Sequence, residues 1–276
     1  MRVSLKCMWR SALLLCLALL LCGGCYVNPI SPPPPVQAPA PSGTLLNPEF
    51  RIGIWPDYLP LAYKFRGQLV GLEVDFAEQL GRDLNKQILL VETPWSELIP
   101  DLVAGKIDII MSGMSVTADR SELVSFTEPY MQIGQMGLIR ASDEAKFTSL
   151  DSYLNTTSRV GFMSNTTGEQ AAKEWFSKAK LVPQPTVDEG LTALRQGRID
   201  VFIHDAPTVW RLGGNPRETG LIGLYWPLTK EPLAWAVRKS DTPLNFALSR
   251  QLRDWEMSGR LKQLTSRWIT TRVVTR

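Results

Sequence analysis

The sequence predicts an α/β fold of two similar lobes, each a mostly parallel sheet flanked by helices. Three observations lead there. After Pro48, short β-branched runs alternate with segments of helical periodicity, which is the pattern of parallel α/β structure. One block occurs twice: Leu102-Val-Ala-Gly105-Lys-Ile107-Asp108-Ile-Ile returns as Leu194-Arg-Gln-Gly197-Arg-Ile199-Asp200-Val-Phe. Each copy reads as a helix stopped by glycine, a cation at the helix end, then a buried strand. Finally, Leu244, Leu248, Leu252 and Trp255 near the C-terminus form an apolar helical stripe that a helix packed on a sheet would bury.

Taken in order, the chain opens with Arg2, Lys6 and Arg10, then an unbroken apolar run from Ala12 to Leu21, then Gly23-Gly24-Cys25. That is the form of an export signal, and the run is short for a membrane-spanning helix, which needs roughly 20 apolar residues. Small residues directly before a cysteine resemble the lipobox of bacterial lipoproteins, although Cys22 stands where that motif usually has leucine. The resemblance makes residues 1–24 a signal peptide and Cys25 the lipidated mature N-terminus. Residues 25–48, centred on Pro32-Pro33-Pro34-Pro35, then read as an extended tether from the membrane.

Strands are expected at Arg51 to Ile54, Gln87 to Val91, Ile107 to Met111, Arg159 to Phe162, Lys180 to Val182 and Ile199 to Ile203. A helix is expected to begin at Asp75, with Asp75 and Glu78 as a capping box and Phe76, Leu80 and Leu84 on its buried face.

Composition excludes several functions. The net charge of +3 equals the three leader cations, so the rest of the chain is neutral and lacks the cationic surplus that nucleic-acid binding requires. All four cysteines, Cys7, Cys16, Cys22 and Cys25, lie at the leader. The domain beyond it therefore has no disulfide and, with one histidine, few metal ligands.

In open α/β sheets, ligands sit beyond the carboxyl ends of the parallel strands. Those ends carry Trp55 to Tyr58, Ser112 to Ser115, Asn165 to Thr167, and His204-Asp205, with Arg120 close behind the second group. This set of aromatics, hydroxyls, one acid and one guanidinium complements a small zwitterion. A carboxylate is matched by Arg120 with Ser115 and Thr167; an ammonium is matched by Asp205 and the Ser112 region.

The residues then match a family. Gly71-Leu72-Glu73-Val74-Asp75-Phe76 with Leu80-Gly81 and Leu84, and Ile109-Ile110-Met111-Ser112-Gly113-Met114-Ser115-Val116-Thr117 with Arg120 and Phe126-Thr127-Glu128-Pro129-Tyr130, resemble the solute-binding proteins of polar-amino-acid ABC transporters, from about Arg51 to about Trp268. The resemblance implies a type II periplasmic-binding-protein fold with two crossings. Lobe 1 would be residues 49–132 plus 232–276, with the C-terminal apolar stripe packed back on it, and lobe 2 residues 133–231. It implies that Tyr58 and Trp95 sandwich the ligand, that Arg120, Ser115 and Thr167 hold its α-carboxylate, and that Asp205 takes the α-ammonium with the Ser112 carbonyl. Trp55, Glu73, Asn165 and Thr166 become the side-chain pocket. Asn165 stands where the family often has glycine, and Trp55 where some members with basic ligands carry an acid.

The function implied is capture of an amino acid or similar small zwitterion on the periplasmic side of a bacterial membrane. Capture is by hinge closure, without a cofactor, in a monomer anchored through its lipid and delivering to an ABC permease. Two alternatives remain on the same fold: a cyclohexadienyl dehydratase-like enzyme using Glu169 or His204 as acid, and a sensor without transport. Adjacent strand residues face opposite ways, so His204 is expected to pack away from the cleft that Asp205 faces.

Overall fold

The structure, a computed structural model, describes residues 43–269. The proposed leader, Cys25 and the proline run lie outside the described residues. A 3-10 turn at Gly43–Leu46 enters β1 (Glu49–Ile54). A three-stranded meander follows, β2 (Asp57–Tyr58), β3 (Ala62–Phe65) and β4 (Gln68–Val70), then α1 (Leu72–Leu84), β5 (Gln87–Glu92), α2 (Leu98–Val103), β6 (Ile109–Ile110), α3 (Ala118–Leu123) and β7 (Val124–Phe126). The crossing strand β8 (Met131–Ile133) leads to β9 (Gln135–Arg140), α4 (Leu150–Leu154), β10 (Arg159–Met163), α5 (Thr167–Trp175), β11 (Lys180–Gln184), α6 (Val187–Arg195), β12 (Val201–Asp205), α7 (Ala206–Gly213), α8 (Pro216–Thr219) and β13 (Leu221–Leu224). Crossing back, β14 (Glu231–Leu233) precedes β15 (Ala236–Arg238), α9 (Thr242–Met257) and α10 (Arg260–Trp268).

The two main sheets have one topology. Their orders are β5-β1-β6-β15-β7 and β11-β10-β12-β9-β13. In each, three strands run parallel and the last two antiparallel to their neighbours. Between the sheets, β8 pairs with β14.

The repeated block explains this likeness. Gly105 and Gly197 both end their helices left-handed, at φ 74° and 69°. The aspartate that follows is then clamped alike in each lobe. Asp108 accepts from the Arg51 backbone N–H at 3.1 Å, from Arg51 Nε at 2.9 Å and from Arg238 Nη2 at 3.0 Å. Asp200 accepts from the Arg159 N–H at 3.0 Å, from Arg159 Nε at 2.9 Å and from Arg140 Nη2 at 2.9 Å. Arg238 and Arg140 also donate to the carbonyls of Ile107 and Ile199. These contacts occupy the residues just after each glycine, which is why β6 and β12 begin later than expected.

A tight approach accompanies each clamp. A side chain at Gly53 or Gly161 would put its Cβ 2.2 Å or 2.4 Å from the Cδ1 of Ile107 or Ile199.

Two expectations are corrected. The helix expected at Asp75 begins at Leu72, because Gly71 turns into it at φ 138°, where a Cβ would lie 2.2 Å from the Leu61 carbonyl oxygen. Asp75 is then inside the first turn, and it accepts from Trp268 Nε1 at 2.9 Å, fastening α10 to α1. Residues 43–48, placed in the tether, are folded onto the first lobe. Thr44 is buried and accepts from Arg238 Nη2 at 2.7 Å, and the Leu45 carbonyl accepts from Lys86 Nζ at 2.7 Å. The stripe on α9 packs as expected, with Leu244, Leu248, Leu252 and Trp255 buried against Phe50, Phe76 and Trp235.

Candidate ligand-binding site

The carboxyl ends of β1, β6, β10 and β12 converge on one cavity of about 30 Å³ between the two sheets. Parallel strands with this order leave that edge free, since each chain turns away there into a helix. Of the residues expected to bind ligand, Tyr58, Trp95, Ser115, Arg120, Thr167 and Asp205 line it, and so do Trp55 and Thr166 from the expected side-chain pocket.

Arg120 lies on α3, whose N-cap Thr117 accepts the Arg120 backbone N–H at 3.2 Å. Its guanidinium donates to the Ser115 carbonyl at 2.9 Å and stands over the Trp95 ring at 5.1 Å from the centroid. Trp95 is in turn tilted against Trp55 at 5.7 Å. On the opposite wall, Thr167 and Gly168 open α5, where the first N–H groups of a helix have no intrahelical partner. Asp205 ends β12 and accepts from the Tyr58 hydroxyl and from the Gln135 amide. Burial and the nearby charge of Glu231 push the Asp205 carboxyl up to about 6, against the opposing pull of those donors and Arg120.

Three expected residues sit elsewhere. Glu73 is sealed behind the cavity, accepting from the Gly113 N–H at 2.7 Å, the Tyr130 hydroxyl at 2.5 Å and Trp235 Nε1 at 3.1 Å. It supports the wall instead of lining it, and burial raises its carboxyl to about 7. The Ser112 hydroxyl accepts from the Trp55 N–H at 2.7 Å, and the neighbouring Gly113 takes its place at the cavity. Asn165 is exposed at the rim, left-handed at φ 60°, with its carbonyl accepting from Trp95 Nε1 at 3.0 Å.

His204 is a correction in the other direction, because it lines the cavity with its ring against Tyr58 at 5.5 Å. Its Nδ1 accepts the Asp205 backbone N–H at 2.8 Å, which draws the ring to the cleft edge of the strand end. Burial lowers its pKa to about 4, so the imidazole is neutral with its proton on Nε2.

Sequence reasoning missed Gln135 and Glu231. Gln135 donates to Thr167 Oγ1 at 3.1 Å and to Asp205, because β9 pairs with β12 in the register Asp205 to Gln135. Glu231, on the returning crossing strand, accepts from the Ser115 hydroxyl at 2.6 Å and from Thr229 Oγ1. Neither residue stands at a parallel strand's carboxyl end, the feature that selected the others.

Besides the Ser115 to Glu231 bond at the hinge strand, four hydrogen bonds join the facing walls of the lobes: Tyr58 to Asp205, Trp95 to Asn165, the Val187 N–H to Asp57 at 3.0 Å, and Thr208 to the Leu59 carbonyl at 2.6 Å.

Residues 50–271 match the profile of the bacterial extracellular solute-binding proteins, family 3. The chain belongs to this family. Among solved structures, this family-3 protein is similar to a putative binding component of an ABC transporter from Wolinella succinogenes complexed with lysine. The identity is 32%, the TM-score 0.77, and the likeness covers 82% of this chain and 98% of that one. The ABC transporter glutamine-binding protein GlnH of Bacillus subtilis is 27% identical over 206 residues, 74% of each chain. Cyclohexadienyl dehydratase of Pseudomonas aeruginosa is 26% identical over 230 residues, 80% of this chain and 83% of that one.

Proposed function

We propose that this family-3 protein captures an α-amino acid in its cleft and passes it to an ABC permease. The observation that carries this is the division of charge across the cavity, with Arg120 on the first lobe and Asp205 on the second. A ligand bearing both a carboxylate and an ammonium joins the two, so it binds the closed state in preference to the open one. Arg120, the Thr167 hydroxyl and the N-terminus of α5 would hold the carboxylate. The ammonium would replace the Tyr58 hydroxyl at Asp205, leaving the Tyr58 and Trp95 rings against the ligand. The Ser115 hydroxyl, already donating to Glu231, serves to hold the hinge strand beside the site.

In this reading the first lobe takes residues 43–132 with 232–269 and the second residues 133–231, with β8 and β14 as the hinge. A monomer anchored through Cys25 on the periplasmic side completes it. Calorimetry against the twenty amino acids is the test. Arg120→Ala should weaken binding of whichever ligand is found by about 100-fold or more, since it removes a charged partner from an enclosed carboxylate; a variant binding as tightly as the parent would discard the assignment.

The dehydratase relative favours a second reading, an enzyme on the same site. Of the two candidate acids, Glu169 speaks against it. Glu169 pairs with Lys173 and accepts the Asn165 N–H, which hold its carboxyl below the ordinary range and leave no proton to donate near pH 7. Measured turnover of prephenate or arogenate would replace binding with catalysis.

A further inference from the structure

Two charged side chains line the cavity, Arg120 and Asp205, and they match the two charges on the backbone of a free amino acid. The third charge of a lysine or arginine ligand finds no partner there. Every acid nearby is engaged elsewhere. Glu73 holds Gly113, Tyr130 and Trp235 behind the wall. Asp57 is not among the lining residues and accepts the Val187 N–H at the start of α6. Glu231 takes the Ser115 and Thr229 hydroxyls on its two oxygens, and Glu169 is paired with Lys173.

Aromatic faces do not substitute for the missing acid. The Trp95 ring already carries the Arg120 guanidinium, so a second cation on that wall meets a like charge. Trp55 lines the cavity and packs against both Trp95 and Tyr58, at 5.7 Å and 6.3 Å, so this wall is apolar. Burying an unpaired ammonium or guanidinium is strongly unfavourable.

We infer that this site discriminates against amino acids with a cationic side chain, lysine and arginine, by on the order of 100-fold relative to those without one. The inference rests on the amino-acid reading above and separates this chain from its relative solved with lysine.

The test is calorimetric titration of the full chain with alanine, glutamine, phenylalanine, histidine, lysine, arginine, aspartate and glutamate, each alone. The expected result is binding of at least one amino acid without a cationic side chain, with lysine and arginine about 100-fold weaker. Lysine or arginine within about tenfold of the best such ligand overturns the inference and leaves the amino-acid reading standing. No binding of any amino acid by a protein with a cooperative melt overturns both. A second arm uses Trp55→Asp, with its melting temperature recorded. An acid introduced there should raise lysine affinity at least tenfold, and a folded variant without that gain counts against the inference.

Discussion

Asp205 joins the chemistry of the site to pH. Its carboxyl stands at about 6 in the folded chain, above the roughly 3.9 of an unfolded aspartate. The folded chain therefore binds the proton more tightly, and this group's contribution to stability declines as pH rises from about 4 to about 6. In the proposed role of Asp205, ligand binding has the opposite sign, because an ammonium needs the ionised carboxylate. Affinity should fall as pH drops below about 6, approaching tenfold per pH unit. Calorimetry between pH 5 and 8 checks this, and a flat profile would remove Asp205 from the ammonium site. Asp205 was legible in the sequence because it ends a parallel strand. Gln135, its neighbour, was not: it comes 70 residues earlier and reaches Asp205 through a strand register that no local pattern records.

At the scale of elements, the repeated block is the device that ties strands together. Asp108 and Asp200 each join three strands of their sheet through two arginines. Asp108 is the more deeply buried, with its side chain 1% exposed against 13% for Asp200. Asp108→Ala should cost roughly 3 kcal/mol, since it removes the anion of Arg51 and leaves Arg238 only its longer pair with Asp241, and Asp200→Ala less. Urea unfolding of the two variants measures both, and equal midpoints for parent and Asp108→Ala would refute the clamp. Burial pushes the Asp200 carboxyl up, but Arg159 and Arg140 outweigh it and hold it at about 2. Its stabilisation is thus present above about pH 4 and is lost as pH falls toward 2.

The repeat itself could be read from Leu102 to Asp108 and Leu194 to Asp200. Its completion could not, because Arg238 arrives from 130 residues away. The start of α1 shows the reverse failure. A capping box at Asp75 and Glu78 is a good local signal, yet Gly71 admits a tighter turn and starts the helix one turn earlier.

For the whole molecule, function depends on the balance between open and closed lobes. Asp57 lies outside the cavity, but it ties the meander of the first lobe to α6 of the second. Asp57→Ala should loosen the closed state and weaken ligand binding about tenfold without touching ligand, as expected when the competent population falls by that factor. Unchanged affinity would mean that this bond does not bias closure. The proposed anchor would act on the same scale. Cys25→Ala should abolish incorporation of radiolabelled fatty acid into the chain in growing cells, and a variant labelled as strongly as the parent would contradict lipidation at that residue.

The bond from the Trp95 indole to the Asn165 carbonyl also has a practical side. Its proton is hydrogen-bonded while the lobes meet and released to exchange when they part. In a nitrogen-15 labelled sample, that one indole resonance would record how much of each hour the cleft spends shut.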